Sequence, residues 1–333
     1  MFRTRFILVV ATLFVGHRDV ALGQTSSPTI LTIDLTNFVE YRQDLADPAR
    51  FATDTSVTTA VTPRNFFTAT MLADIVAVNG QPAKGLYMGI PRALQGTPTP
   101  NPGQAIADTT HNAFRDLFFE IQKSDGTVIG SIAATGFSGG ASPPGAPQAQ
   151  AGSNWAIIGG TGAFLGARGQ AGSGAGNTPR AASFSEDPSR RRINGGGKAQ
   201  FVFQIIPVVV PQIVVTANGP AVVHSNDFSL VTASKPAAAG ELLTLFATGL
   251  GPVNAAIDPG QPFPSAPLAS VNSPVEVKVN GAAAEVLAAV GYPGAIDGYQ
   301  VNFRLPSSVA KGAATIQLSA AWIAGTPVSI TLQ

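Results

Sequence analysis

The residues best suited to chemistry are carboxylates on segments that read as β-strands. Over residues 31–35 the chain alternates, with Leu31, Ile33 and Leu35 on one face and Thr32 and Asp34 on the other. Thr36 shares the face of Asp34, and Asn37 points the other way. An Asp34 turned into an apolar interior would hold its proton more tightly and could serve as an acid or base. Turned to solvent or to a rim, it is an ordinary strand residue. Asp116 and Glu120 share a face four residues apart, in a mixed stripe with Phe114 and Phe118. The opposite face, Leu117, Phe119 and Ile121, is apolar, and either face could line an interior. Tyr87 and Arg92 are weaker candidates near a loop mouth.

Other chemistries find little support. The chain has no cysteine, which removes disulfides, thiolate metal sites and cysteine nucleophiles. It has three histidines; His17 precedes the expected mature chain, and His111 and His224 fall in different expected domains. No metal site is expected, since zinc needs more clustered ligands than this. The string from Gly136 to Gly140, GFSGG, has the letters of a nucleophile elbow. That elbow needs a following helix, and Ala141-Ser142-Pro143-Pro144 cannot supply one. Gly159-Gly160-Thr161-Gly162 echoes a phosphate loop but lacks its lysine and the strand-to-helix setting. No cofactor is expected. Arg190-Arg191-Arg192 is the one dense basic run and reads as a solvated loop.

Composition narrows the architecture that must position these groups. Charged residues make up 12% of the chain, about half the ~25% of an average soluble domain. The 20 Lys+Arg nearly balance the 19 Asp+Glu, which argues against a nucleic-acid surface. The 45% hydrophobic content argues against disorder. The first 23 residues read as a secretory signal: Arg3 and Arg5, the apolar run from Phe6 to Gly16, then Ala21-Leu22-Gly23. Cleavage is expected between Gly23 and Gln24, giving a secreted or periplasmic protein with no membrane span thereafter. The mature chain would carry a net charge of −1.

Helical periodicity is almost absent after that segment, and strand patterns are frequent. Residues 115–121 and 128–132, joined through Asp125-Gly126, read as a hairpin. Further strands are expected at 66–78, 155–158 and 200–206, then at 242–247, 275–279, 300–305, 314–319 and 328–332. Gly-, Ala-, Pro- and Ser-rich stretches at 95–104, 136–152 and 172–177 read as mobile surface loops. Two prolines around Val208-Val209-Val210 read as a stiff linker and mark a boundary. The expected division is a signal peptide (1–23), a β-barrel (24–207) and a β-sandwich (208–333).

Residues 156–170, AIIGGTGAFLGARGQ, resemble the motif of dirigent proteins and allene oxide cyclases. The resemblance is local and strong over about fifteen residues and extends more weakly over 28–207. It implies an eight-stranded antiparallel barrel, with Gly159, Gly160, Thr161, Gly162 and Gly169 turning the chain and Phe164 packing it. A barrel of that size can hold one small ligand. Dirigent proteins place an acid directly after the Gly-Thr-Gly, where this chain has Ala163, whereas Arg168 matches the family's arginine. Allene oxide cyclases use a first-strand carboxylate, the position that Asp34 occupies here.

The run from Gly240 to Pro252, GELLTLFATGLGP, looks like an immunoglobulin-like C-terminal domain recurrent in exported acidobacterial proteins. Residues 275–281 and 298–306 continue that pattern. This resemblance implies an accessory module and transfers no active-site residue.

The fold expected is therefore all-β, a barrel followed by an immunoglobulin-like β-sandwich. The leading expectation for function is a barrel that binds a small apolar or aromatic ligand. The candidates to line its site are Thr36, Asp116, Glu120, Phe118 and Arg168. The alternatives are a cyclase or isomerase acting through Asp34, and an envelope-associated structural protein with no ligand. Oligomeric state stays open, since related barrels often form trimers. A homo-oligomer through the barrel and an envelope or protein partner for the C-terminal domain are the associations to test.

Overall fold

The computed structural model describes residues 29–44, 66–94, 112–138, 153–174, 176–206, 209–254, 256–258 and 260–333. The expected signal peptide, His111 and most of the proline-rich and glycine-rich stretches at 95–104 and 136–152 lie outside them. Among the described residues 2% are helical and 61% lie in strands, so the fold is all-β. No described helix is long and apolar enough to cross a membrane. Two compact units divide within Ser27–Val208 and Val209–Gln333.

In the first unit nine strands run in chain order. They are β1 (Thr29–Asp44), β2 (Phe66–Val78), β3 (Gln81–Leu94), β4 (Asn112–Lys123), β5 (Val128–Ser138), β6 (Ser153–Gly162), β7 (Arg168–Ser173), β8 (Arg180–Ser183) and β9 (Gly197–Ile206). Eight of them close an antiparallel barrel in the order β1-β2-β3-β4-β5-β6-β7-β9, with β9 returning to β1. The ninth, β8, pairs in parallel with residues 39–42 of β1, where β9 has left that strand. The β4–β5 hairpin turns on Gly126 at φ +94, with Asp125 Oδ1 accepting from the Thr127 N–H at 2.8 Å. The turn between β2 and β3 is Asn79-Gly80, both left-handed, a two-residue hairpin signal that the strand reading above passed over.

Ring contacts identify the lumen. Phe201 of β9 meets Tyr87 of β3 at 5.1 Å and Phe119 of β4 at 5.2 Å, although β9 is hydrogen-bonded to neither strand. Trp155 of β6 stands 5.7 Å from Phe201, and Phe203 stands 4.9 Å from Phe119. All five side chains are fully or almost fully buried. Tilted and edge-on aromatic pairs of this kind add roughly 0.5–1.5 kcal/mol each beyond the area they bury. The middle of the lumen is thus filled by rings.

The glycine motif spans the end of β6 and the turn into β7, and at Gly160 and Gly169 there is no space for a side chain. A Cβ on Gly160 would lie 2.3 Å from the Phe164 carbonyl oxygen and 2.7 Å from that of Ser131. Gly169 has φ +133, and its Cβ would lie 2.0 Å from the Gln204 carbonyl oxygen. Phe164 is buried beneath the turn. Residues 172 and 173, expected in a mobile loop, instead complete β7. The Gly174 N–H donates to the Gln200 carbonyl at 2.7 Å, so backbone pairing replaces the apolar side chains this segment lacks.

In the second unit the strands expected at 242–247, 275–279, 300–305, 314–319 and 328–332 all form, as Leu242–Thr248, Val275–Val279, Tyr299–Arg304, Gly312–Ala320 and Val328–Leu332. They belong to one curled eleven-stranded sheet. The strand Ala282–Gly291 pairs with Tyr299–Arg304 on one side and Val275–Val279 on the other, which keeps its two halves continuous. Buried within this unit, His224 has both ring nitrogens against acceptors: Glu241 Oε1 at 2.5 Å and the Lys235 carbonyl at 3.2 Å. A second Glu241 oxygen accepts from the Ala238 N–H at 2.7 Å. The pair is a buried clasp between strand and loop, with no metal cluster about it among the described residues.

Substitution of Gly160 by alanine should destabilise the protein by about 1–3 kcal/mol, because backbone oxygens cannot yield as side chains do. Gly159→Ala, where a Cβ meets nothing within 4 Å, is the control and should melt with the parent. Urea denaturation followed by circular dichroism decides between the two.

Candidate functional site

Strand parity places the expected site residues on the outside of the barrel. Ile33 pairs directly with Phe201, which fixes the inward face of β1 at that point. Asp34 therefore points outward, opposite Gln200, whose Nε2 donates to Asp34 Oδ1 at 2.8 Å. The lumen carboxylate expected of Asp34 is not at that position. Thr36 lies opposite Asp74 on the same outer face. On β4 the inward face carries Leu117, Phe119 and Ile121, all buried. Asp116 and Phe118 are exposed on the other face, where Thr135 Oγ1 donates to Asp116 at 2.7 Å. Glu120, on that same face, accepts from Gln122 Nε2 at 2.8 Å. Arg168 is exposed at the start of β7, and Arg92 is exposed on β3. Thr161 meets Ser131 at 2.7 Å on the outer surface. None of these lines the interior; among the expected candidates only Tyr87 does.

A different set faces inward, and a bulge creates it. In β1 the register slips between Thr36 and Val39, with Asn37 left-handed at φ 52. Such a bulge adds one residue and reverses the faces beyond it. Leu31, Ile33 and Leu35 face the lumen before it; Phe38, Glu40 and Arg42 face the lumen after it. Phe38 packs edge-on against Tyr87 at 5.6 Å. Glu40, only 5% exposed, lies opposite the inward Met71. It accepts from Arg42 Nη2 at 2.9 Å.

Arg115 completes the rim. It shares the inward face of β4 with Leu117 and Phe119, and lies opposite Gly136 of β5, which lies opposite Trp155 of β6. With no side chain at Gly136, the Arg115 guanidinium reaches across to sit 5.9 Å from the centre of the Trp155 ring. That is within cation–π range. Arg115 Nε and Trp155 Nε1 are both buried without a hydrogen-bond acceptor among the described residues. Below them the Tyr87 hydroxyl contacts Met71 Sδ at 3.5 Å, and burial pushes that phenol well above its ordinary range. Residues 45–65, 95–111 and 139–152 lie outside the described residues.

The bulge is held from outside. Asp74 of β2 accepts from Asn37 Nδ2 at 2.8 Å, from Arg192 Nε at 2.8 Å and Nη2 at 2.7 Å, and from Arg191 Nη2. The arginines come from the short 3-10 helix Pro188–Arg192, started by Asp187, which accepts from the Ser189 N–H. Arg180 Nη1 and Nη2 grip Glu186 at 2.9 and 2.7 Å, bracing the same excursion. The basic run is thus no plain solvated loop: Arg191 is buried, because Asp74 offers it and Arg192 a shared carboxylate. Burial alone would raise the Asp74 carboxyl, but the bonds from Arg192 and Asn37 and the two guanidinium charges outweigh it and hold it below the usual carboxylate range.

No family model matches the chain, and no curated protein matches it. One solved structure, described as a polysaccharide lyase, is similar at 9% identity and a TM-score of 0.18, over 92% of this chain and 40% of the other. The chain therefore spans less than half the length of that neighbour, and likeness at this level carries no functional argument.

A carboxyl group with a depressed folded pKa stabilises the protein above its unfolded pKa, and that contribution fades as pH falls through the folded value. Asp74→Asn should therefore cost roughly 1–3 kcal/mol at pH 7. The gap to the parent should narrow below about pH 4 as the parent's own carboxylate is protonated. Urea melts at pH 7, 5 and 3 give the comparison.

Proposed function

We propose that the barrel unit binds a small apolar or aromatic molecule at the rim of its lumen, around Glu40, Arg42, Arg115, Trp155 and Tyr87. One observation carries this reading. A buried carboxylate and two guanidinium groups face inward where the remaining lining is rings and aliphatic side chains. Burying such groups is costly, and a fold that needed only a core would gain nothing from them. The resemblance of residues 156–170 to dirigent proteins and allene oxide cyclases supports the same reading by analogy. The chemistry open to the site is orientation of a ligand by charge, with Glu40, rather than Asp34, as the inward carboxylate. The second unit would serve as an accessory interaction module on an exported protein.

A second reading, a scaffold without ligand, is favoured by the aromatic filling of the lumen's middle. Native mass spectrometry of the full protein isolated from its own host separates the two. The binding reading expects an added small mass, lost on unfolding and depleted in Glu40→Ala. A bare polypeptide mass for the parent, together with no mass added by a panel of small aromatic compounds, would move the assignment to the scaffold. The same spectrum reports export, which should leave a chain beginning at Gln24.

A further inference from the structure

We infer that the molecule bound at the barrel rim carries a single carboxylate, seated on the guanidinium of Arg115 against the face of Trp155. The inference rests on the rim being a binding site and names the chemistry of its occupant. The first argument is a charge count. Three ionisable side chains of β1 and β4 face inward here: Glu40, Arg42 and Arg115. Among the described residues, Glu40 and Arg42 form an ion pair at 2.9 Å. Among the described residues Arg115 is left as one positive charge, with no carboxylate within ion-pair distance of it.

The second argument is geometric. A guanidinium laid near an aromatic face keeps its N–H edge free, and that planar fork matches a carboxylate. Among the described residues Arg115 Nε, which is buried, finds no acceptor, and Trp155 Nε1, in the ring beside it, is likewise a donor without an acceptor. Buried donors in folded proteins are almost always paired, so two unsatisfied donors beside an uncompensated cation describe the complement of an anion. One excess charge among the described residues matches a monoanion better than a dianionic phosphate. The rings around it, Trp155, Tyr87 and Phe201, favour an apolar or aromatic body behind that carboxylate.

Trp155 can report on the site once the chain's other tryptophan is replaced, as in Trp322→Phe. In that background 4-phenylbutyrate should change Trp155 emission saturably and bind at least about tenfold more tightly than the matched neutral 4-phenylbutyramide, the range of a charge-assisted hydrogen bond. Arg115→Gln should bring the acid to the level of the amide and leave the amide unchanged, and Arg115→Lys should retain part of the preference. If circular dichroism shows Arg115→Gln unfolded, Arg115→Lys alone carries the comparison. Equal binding of acid and amide would overturn the carboxylate assignment while the rim site stands. Tighter binding of phenyl phosphate than of the acid would overturn the monoanion. Failure of all three probes to bind would overturn the rim site itself.

Discussion

The interior of this barrel depends on one irregularity in its first strand. A regular β1 would send Leu31, Ile33, Leu35 and then every odd residue inward, and Glu40 and Arg42 would stand outside. The left-handed Asn37 spends one residue and reverses the phase. Val39 and Tyr41 then face outward. Tyr41 is nevertheless buried, and the charges of Glu186, Arg180 and Arg191 act on it from the excursion 180–192. The same bulge thus supplies the lumen with its carboxylate and the outer wall with an apolar patch for that excursion to cover.

The carboxylate of Asp74 ties these consequences together. It reaches Asn37 at the bulge and both arginines at the end of the 3-10 helix, so the bulged backbone and its external cover share one anchor. A bulge held only by its own strand would be free to slip by one residue, and a slip exchanges every side chain between lumen and surface. The basic run that reads as solvated charge in one dimension is half of the device that prevents this.

The lumen itself divides by depth. Its middle is closed by Tyr87, Phe119 and Phe201 in mutual contact, with Phe203 against Phe119, a core like that of any small barrel. Toward the rim, Gly136 leaves a gap in the wall between Arg115 and Trp155, and polar groups enter. An apolar floor and a charged rim therefore occupy different levels of one barrel.

Much of the architecture is legible from residue order alone. The alternation around Ile33, the Asp125-Gly126 turn and the glycine string at 159–169 each reflect a local steric or pairing rule, and such rules act between neighbours in sequence. The site is not local in that sense. Asp34, Asp116, Glu120, Phe118 and Arg168 have suitable chemistry, but which way a strand residue faces is set by register and closure, and β1 changes phase at a residue with no unusual neighbours. Glu40 is marked as an inward group only once β2 and β9 fix the register on either side. Arg115 and Trp155 are forty residues apart and meet because β5 between them contributes a glycine. Sequence by itself determined an all-β chain with a glycine-turned barrel motif. Tertiary structure decided which carboxylate is buried and which guanidinium stands beside the Trp155 ring, because burial and charge balance belong to groups brought together by closure of the sheet.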